Sequence, residues 1–331
     1  MQKQKVIIDA DPGIDDAMAL LLAVNSPELD ILGITIAEGN VPTDLGTTNA
    51  LKILKWAQRL DIPVYSGAKS PLKKAYVSAQ DTHGDNGLGN ADIPPVTDAQ
   101  PHSDAQQFIN EMLMTHRDVT IIALAPLTNI ALALKNNPKA WQNIQRFIVM
   151  GGTFKSHGNT SPVAEYNFWV DPDAAQYVFD HMPVKVEMVN LDVTRPIVFT
   201  PNLLYFVKQC HSEVGELLGK ILPFYFDFHW KQEHVIGAVI NDPLAIAYAI
   251  NPDRFARGFD AYTTVCTDGV AIGQSIVDVG DFWRKTPNSY VLTDVDASNF
   301  MVFFLSRITH LPEEILAKTI TQIMVEANTH G

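Results

Sequence analysis

The sequence contains little cysteine and no long hydrophobic run, and both absences narrow the class of protein. Its two cysteines, Cys210 and Cys266, lie far apart without metal-ligand spacing, so neither a disulfide framework nor a zinc site is indicated. No uninterrupted apolar stretch approaches the roughly 20 residues that cross a bilayer. The polar start, residues 1–5, runs directly into a strand-like segment. We therefore expect a cytoplasmic protein that is neither exported nor inserted into a membrane.

Positive charge is also scarce. The chain has 24 Lys and Arg residues against 37 Asp and Glu residues, which gives a formal net charge of -13. The acidic residues are dispersed, and no basic cluster is present that could follow a phosphate backbone. A small molecule is therefore a better candidate partner than a nucleic acid polymer. The hydrophobic content, 47% of 331 residues, is enough for one large core, and we predict a single domain over residues 1–331.

Short β-branched runs alternate with segments of helical period, a pattern typical of βα units and a mostly parallel sheet. The predicted strands are residues 5–9, 30–37, 119–124, 146–150 and 185–189. The predicted helices are residues 15–24, 43–58, 103–114, 126–134 and 171–181, with Thr43 and Asp171 as capping residues and Pro126 in a first turn. After residue 190 the order is less regular, with helices predicted at 201–230 and 241–250 and strands within 255–279.

Four carboxylates cluster where the first strand meets the first helix. Asp9, Asp11, Asp15 and Asp16 fall within eight residues. Such groups repel one another, and a helix dipole offsets only ~0.3–1 kcal/mol per acid. A cation would resolve the conflict, and oxygen ligands suit calcium or magnesium. Two alternatives remain: Asp15 and Asp16 cap the helix while the others face solvent, or the Asp-x-Asp pair belongs to a haloacid-dehalogenase-type phosphatase, although Gly13 departs from that motif.

Residues 9–16 resemble the Asp-x-Asp-Pro-Gly-x-Asp-Asp fingerprint of the inosine-uridine nucleoside hydrolase family. Further blocks similar to the family follow in the same order at residues 37–40, 125–129, 158–168 and 240–244. The resemblance implies a single α/β domain with a mostly parallel, Rossmann-like sheet flanked by helices and a site at the strand carboxyl ends. It also implies that the protein splits nucleosides into ribose and free base, with a calcium-bound water as the attacking group.

The resemblance assigns roles to particular positions. The calcium ligands would be Asp11, Asp16, the carbonyl of Leu124 and Asp242, with Asp11 also taking a proton from the water. Asn40 would contact the water and nearby ribose, and His83 would lie near the base or ribose; both are assigned to catalysis and to substrate binding. The remaining substrate-binding residues would be Asp15, Asn159, Glu165, Asn167 and Asn241. Taken singly, Asn40 is also explained by a turn, His83 by an exposed loop and Asp242 by a helix cap.

The chain departs from the family at Asn241. Several nucleoside hydrolases have a histidine there, which donates a proton to the leaving base, and an amide cannot do so at neutral pH. Assistance would then come from His83, His229 or His234, from aromatic stacking on the segment 224–230, or from solvent. A nucleoside-binding protein without turnover is the alternative. The resemblance also implies a homodimer or homotetramer.

Overall fold

The computed structural model describes residues 3–210 and 212–329. Residues 1 and 2 of the polar start, and residue 211 of the predicted helix 201–230, lie outside the described residues. The strands are β1 (Gln4–Ala10), β2 (Leu29–Ile36), β3 (Val64–Ser66), β4 (Val119–Ala123), β5 (Ile144–Met150), β6 (Val186–Val189), β7 (Val198–Phe199), β8 (Ala238–Val239), β9 (Ala256–Val265), β10 (Ser275–Asp278) and β11 (Ser289–Val295). The helices are α1 (Ile14–Val24), α2 (Thr43–Trp56), α3 (Gln80–His83), α4 (Ala105–Thr115), α5 (Thr128–Asn136), α6 (Tyr166–Val170), α7 (Pro172–His181), α8 (Leu191–Thr194), α9 (Pro201–Cys210), α10 (Ser212–Glu233), α11 (Asp242–Ile250), α12 (Pro252–Phe255), α13 (Ala297–Thr309) and α14 (Glu313–Thr329).

A mostly parallel sheet of nine strands forms the centre of the molecule. Its order is β10-β9-β11-β6-β5-β4-β1-β2-β3. The strands from β3 to β11 in this order pair in parallel, and β9 and β10 extend the edge in antiparallel pairing. The chain proceeds outward in opposite directions from β1 and β4, so a crevice forms at their carboxyl ends, where ligands bind in such sheets. The predicted α/β fold class is confirmed.

The central strands are buried on both faces. All five residues of β4 and the last five of β1 are buried, because helices cover the sheet on each side. One apolar cluster includes α1, α11 and α13, and the other includes α4, α5 and α7. Among the described residues, no helix combines the length and apolar character needed to cross a membrane.

Some local predictions were wrong. The Thr43 side chain does not cap α2 but donates a hydrogen bond to a carbonyl outside the helix. Pro126 precedes α5, which begins at Thr128. Asp171 does cap its helix, accepting a hydrogen bond from the backbone N–H of Ala174 at 3.0 Å.

The second half of the chain differs more from prediction. The single helix predicted for residues 201–230 is two helices, α9 and α10, and α10 continues to Glu233. The predicted strands within 255–279 are β9 and β10. The strands β3 and β11 and the C-terminal helices α13 and α14 were not predicted. His83, expected in a loop, ends the short helix α3 and is buried.

Candidate active site

A cavity of about 450 Å³ opens at the carboxyl ends of β1, β2, β4 and β5, a volume usual for small-molecule sites. Its position is the crevice that the strand order creates. The polar side chains that line it from the predicted set are Asp15, Asn40, His83, Asn159, Glu165, Asn167, Asn241 and Asp242. Residues separated by more than two hundred positions in sequence therefore converge on one cavity.

The turn after β2 holds Asp11 by close backbone contact. The Asn40 backbone N–H donates to Asp11 Oδ2 at 2.6 Å. A Cβ on Gly39 would lie 1.8 Å from the same oxygen, so only glycine allows this approach. The carbonyl of Gly39 accepts a hydrogen bond from the Tyr76 hydroxyl at 2.8 Å, and the Tyr166 hydroxyl lies 2.6 Å from it. Two tyrosines that sequence reasoning missed thus fix the turn that positions Asp11.

The Asp16 side chain connects the first turn of α1 to the turn after β2 that holds Asp11. Its Oδ1 accepts the backbone N–H of Asp11 at 3.2 Å, and its Oδ2 accepts the backbone N–H of Gly13 at 3.1 Å and the Asn40 side-chain amide at 2.9 Å. Asp16 therefore caps α1, as the structural alternative supposed. The other half of that alternative is wrong, because Asp9 and Asp11 are fully buried and do not face solvent.

Three carboxylates meet at the floor of the cavity. Oxygen atoms of Asp15, Asp16 and Asp242 lie within 4.8 Å of one another. Asp11 is not part of this trio, although its backbone N–H bonds to Asp16; its Oδ1 is buried and has no hydrogen-bond partner among the described residues. In the described part of the chain, none of these four carboxylates forms a salt bridge with a Lys or Arg side chain.

The electrostatics of the floor favour a cation. Burial and the neighbouring carboxylate of Asp15 raise the pKa of Asp16 to about 7. Burial, followed by repulsion from Asp15, raises the pKa of Asp242 well above its usual range. Burial and Asp16 have the same effect on the pKa of Asp11. Burying several carboxylates without a positive partner is costly, so this oxygen-only set, with its unpartnered Asp11 oxygen, fits a hard divalent ion.

The segment around α6 supplies the side of the cavity. Glu165 caps α6, and its carboxylate accepts backbone N–H bonds from Asn167 at 2.8 Å, Phe168 at 3.2 Å and Gly152 at 2.9 Å. Burial raises the pKa of Glu165 to about 7. The Asn167 amide donates to the carbonyl of Leu124 at 2.7 Å, so the predicted carbonyl ligand already has a side-chain partner.

A wall from α10 faces the floor. Tyr225, Phe228 and His229 line the cavity on one side of this helix. The Tyr225 ring lies between two histidines, with ring centroids 5.2 Å from His83 and 4.4 Å from His229. Burial, followed by the carboxylate of Asp15, raises the pKa of Tyr225 well above its usual range, so the wall and the floor interact electrostatically.

The family model for the inosine-uridine preferring nucleoside hydrolase matches residues 6–302. This chain belongs to that family. It is 36% identical over 279 residues to uridine nucleosidase 1 of Arabidopsis thaliana, covering 84% of this chain and 82% of the relative. A solved plant nucleoside hydrolase superposes with a TM-score of 0.87 at 31% identity, over 93% of this chain and 99% of the other. The purine-preferring ribonucleoside hydrolase of Gardnerella vaginalis gives 0.85 at 31% identity, over 92% and 98%.

Family membership confirms the predicted enzyme class, a hydrolase acting on N-glycosyl bonds. The family is metal-dependent, and the carboxylate trio at the floor agrees with that. Family membership leaves the phosphatase alternative without support. Within this nucleoside hydrolase, the predicted residues divide into two groups. The residues that line the cavity are Asp15, Asn40, His83, Leu124, Asn159, Glu165, Asn167, Asn241 and Asp242. Asp11 and Asp16 are fully buried next to it.

Sequence reasoning missed part of the hydrolase cavity and misplaced one residue. Tyr166, Arg195 and Glu233 line it; Tyr166 lies within the block 158–168 but was given no role, and no motif pointed to the other two. Of the three histidines suggested as proton donors, His83 and His229 are in the lining, whereas His234 is exposed and outside it. Tyr225 belongs to the segment 224–230, for which aromatic stacking on the base was predicted, and its i, i+4 spacing with His229 places both side chains on one face of α10.

Proposed function

We propose that this protein hydrolyses the N-glycosidic bond of ribonucleosides to ribose and free base in a calcium-dependent reaction. The observation that carries the proposal is the group of buried carboxylates, unpaired with any Lys or Arg among the described residues, at the floor of a cavity of about 450 Å³. Ribose carries several hydroxyl groups, which require fixed donors and acceptors, and the amides and carboxylates of this cavity provide them.

Asp11, Asp16, Asp242 and the Leu124 carbonyl would hold the ion. Calcium is preferred to zinc because every donor is an oxygen. Asp15 lies with Asp16 and Asp242 at the floor, so its carboxylate is available to the ion or to ribose. When bound, calcium supplies positive charge that gathers ribose hydroxyls and water at the floor and lowers the pKa of that water.

The residues of the chain perform the remaining steps. Asp11 accepts a proton from the attacking water, and its unpartnered Oδ1 is the available acceptor. Asn40, held through its backbone to Asp11 and through its side chain to Asp16, orients the water and the nearby ribose. Asp15 and Asn167 bind the 2′ side of ribose.

The 5′ side of ribose is assigned to Asn159 and Glu165, both in the cavity lining. Asn159 also accepts the backbone N–H of Tyr166 at 2.9 Å, and Glu165 caps α6, so both are fixed before substrate arrives. Preorganised contacts of this kind lower the entropic cost of reaching the transition state.

The test is a substrate panel. Inosine, adenosine, guanosine, uridine and cytidine are incubated with the enzyme, and ribose is measured as reducing sugar, before and after EDTA treatment and calcium return. We expect ribose release from at least one nucleoside, loss with EDTA and recovery with calcium. Nucleoside binding without ribose release would instead support the non-catalytic binder, the alternative raised by Asn241. Full turnover in verified metal-free protein would contradict the metal-dependent mechanism.

The names of the relatives indicate different bases, uridine for one and purines for another, so the panel also determines base preference.

We further propose that residues 1–331 form one domain and that the protein is a cytoplasmic homodimer or homotetramer. Cys210 and Cys266 are free, which suits a reducing compartment. Analytical ultracentrifugation of the purified chain measures the oligomeric state.

A further inference from the structure

Asn241, which stands where several family members have a histidine, does not supply a proton. The Asn241 amide donates to Asp15 Oδ2 at 3.2 Å, and its Oδ1 is buried without a partner among the described residues. One of its two amide N–H donors is thus committed to the ribose side of the cavity, and neither can be given up as a proton at neutral pH. A base that leaves as a poor anion still needs a proton in the transition state, so another residue must face it.

Three histidines line the cavity, and their surroundings differ. His157 is exposed at the mouth, where its Nδ1 lies 3.1 Å from the Arg195 guanidinium. His83 and His229 are buried, at 4% and 5% exposure, on either side of the Tyr225 ring. Of the three, only His83 and His229 are buried.

His83 is held in its neutral form by the backbone. Its Nδ1 accepts the N–H of Ile14 at 3.0 Å. In the imidazolium both ring nitrogens are donors. If Nδ1 were protonated, its N–H would face the N–H of Ile14. Both groups would then be donors, so this hydrogen bond would break. His83 can offer an Nε2–H to a ligand, but it cannot cycle through the charged form.

His229 has the opposite arrangement. Its Nδ1 lies 2.9 Å from the carbonyl of Tyr225, which can only accept. Nδ1 therefore carries a proton in both forms of the ring, and this bond survives protonation. Nε2 has no hydrogen-bond partner among the described residues, so a second proton on it is available to a ligand in the cavity.

We propose that His229 is the general acid that protonates the departing base in this enzyme, in place of the residue missing at 241. The inference rests on the proposed hydrolase function. As the C1′–N bond breaks, its electron pair stays on the base, and the Nε2 proton of His229 forms a new bond to the base. Water adds its hydroxyl to C1′ and gives its other proton to Asp11; that proton later returns through solvent to His229.

The charged groups around His229 come from four elements. Burial lowers its pKa, while the Tyr225 carbonyl, Glu233 on the same helix and Asp15 of α1 raise it. Arg195, which follows α8, lowers the pKa of His229, as burial does. Beyond the effect of burial, positive charge on His229 in turn lowers the pKa of His83, which belongs to α3. The net lowering makes the imidazolium a stronger acid than a solvent-exposed histidine, and it is populated as pH falls.

Two substitutions separate proton transfer from hydrogen bonding. His229→Asn keeps a donor near the Tyr225 carbonyl, and His229→Gln places a neutral amide near the position of Nε2. Neither can deliver a proton. His234→Gln is the matched control, because His234 makes the same contact with the Trp230 carbonyl, at 3.1 Å, but lies outside the cavity lining.

Each variant is assayed on the best natural nucleoside and on p-nitrophenyl riboside, whose leaving group needs no proton. We expect both His229 variants to lower kcat/KM for the nucleoside ~10²-fold or more, since general acid loss typically costs ~10²–10⁴-fold, while p-nitrophenyl riboside changes less than about threefold. Retained p-nitrophenyl riboside cleavage shows that the variants are folded.

The pH dependence gives a second readout. The ratio of nucleoside to p-nitrophenyl riboside kcat/KM cancels the ionisation of Asp11, which both substrates share. In wild type and His234→Gln this ratio should fall as pH rises through the pKa of His229, and in the His229 variants it should be flat.

Two results overturn the inference while leaving the hydrolase in place: equal losses on both substrates, or full nucleoside activity in His229→Gln. Wild-type protein that cleaves neither substrate would instead refute the proposed function itself, and the inference with it.

Discussion

The floor and the α10 wall of the cavity are built on different principles. The floor joins carboxylates from α1 and α11 to turns after β1 and β2, and the carboxylates of Asp11 and Asp16 accept backbone or amide N–H groups at 2.6–3.2 Å. The wall is one face of a single helix, with Tyr225 and His229 four residues apart and linked by ring and carbonyl contact. The floor is rigid and charged, whereas the wall is aromatic and lies on one continuous element. In the proposed mechanism, chemistry on ribose depends on the floor, and assistance to the base depends on the wall.

Removal of the proposed base from the floor should have the largest effect. Asp11→Asn keeps the shape of the side chain but removes the proton acceptor, so we expect kcat/KM to fall ~10²–10⁴-fold. Unlike a wall substitution, it should affect a natural nucleoside and p-nitrophenyl riboside equally. Asp118→Asn, at an exposed carboxylate paired with Lys5, is the matched control. A loss below about tenfold, with calcium still bound, would show that Asp11 is not the base.

A single methyl group should disturb the floor without touching the wall. In Gly39→Ala the new Cβ would lie 1.8 Å from Asp11 Oδ2, so Asp11 or the turn must move. Overpacking of this kind costs about 1–3 kcal/mol, and we expect the free energy of unfolding to fall by that amount in urea denaturation. Calcium affinity should weaken in parallel. Gly269→Ala, where a Cβ meets open space, is the control, although its positive φ adds modest strain. Unchanged calcium affinity in Gly39→Ala would contradict the close approach.

Substitution of Glu165 tests whether its carboxylate both stabilises α6 and binds the substrate. Glu165→Ala removes the cap of α6 and three backbone contacts, so we expect a loss of ~0.5–2 kcal/mol in the free energy of unfolding. If Glu165 also holds the 5′-hydroxyl, wild type should prefer ribonucleosides to their 5′-deoxy analogues and the variant should not. Equal discrimination by wild type and variant would limit Glu165 to its structural role.

The smallest effect is expected where wall and floor touch. Tyr225→Phe keeps the ring between the two histidines but removes the hydroxyl that interacts electrostatically with the Asp15 carboxylate. Loss of this interaction should cost no more than loss of one hydrogen bond, about 0.5–1.5 kcal/mol, so kcat/KM should fall less than roughly tenfold on both substrates. A larger loss confined to natural nucleosides would place the Tyr225 hydroxyl, rather than His229, nearest the base.

The sequence by itself determined the sheet and most of the floor. Alternation of apolar strands and helices predicted a mostly parallel sheet and the strands β1, β2, β4, β5 and β6, because buried parallel strands need continuous apolar runs that remain visible in sequence. The carboxylates at 9–16 and the Asn40, Glu165 and Asp242 positions were recognisable because each lies at a strand end or helix start, where local chemistry marks it. All of them lie in or beside the cavity.

Only the tertiary structure decided which groups face one another. Asp15, rather than Asp11, joins Asp16 and Asp242 within 4.8 Å, since the turn at Gly39 draws Asp11 toward the backbone of Asn40. The roles of His83, His229 and His234 could not be separated by residue type, because each depends on what its Nδ1 meets: a backbone N–H, a carbonyl inside the cavity or a carbonyl outside it. Hydrogen-bond partners of this kind are set by chain packing across distances that no local pattern records.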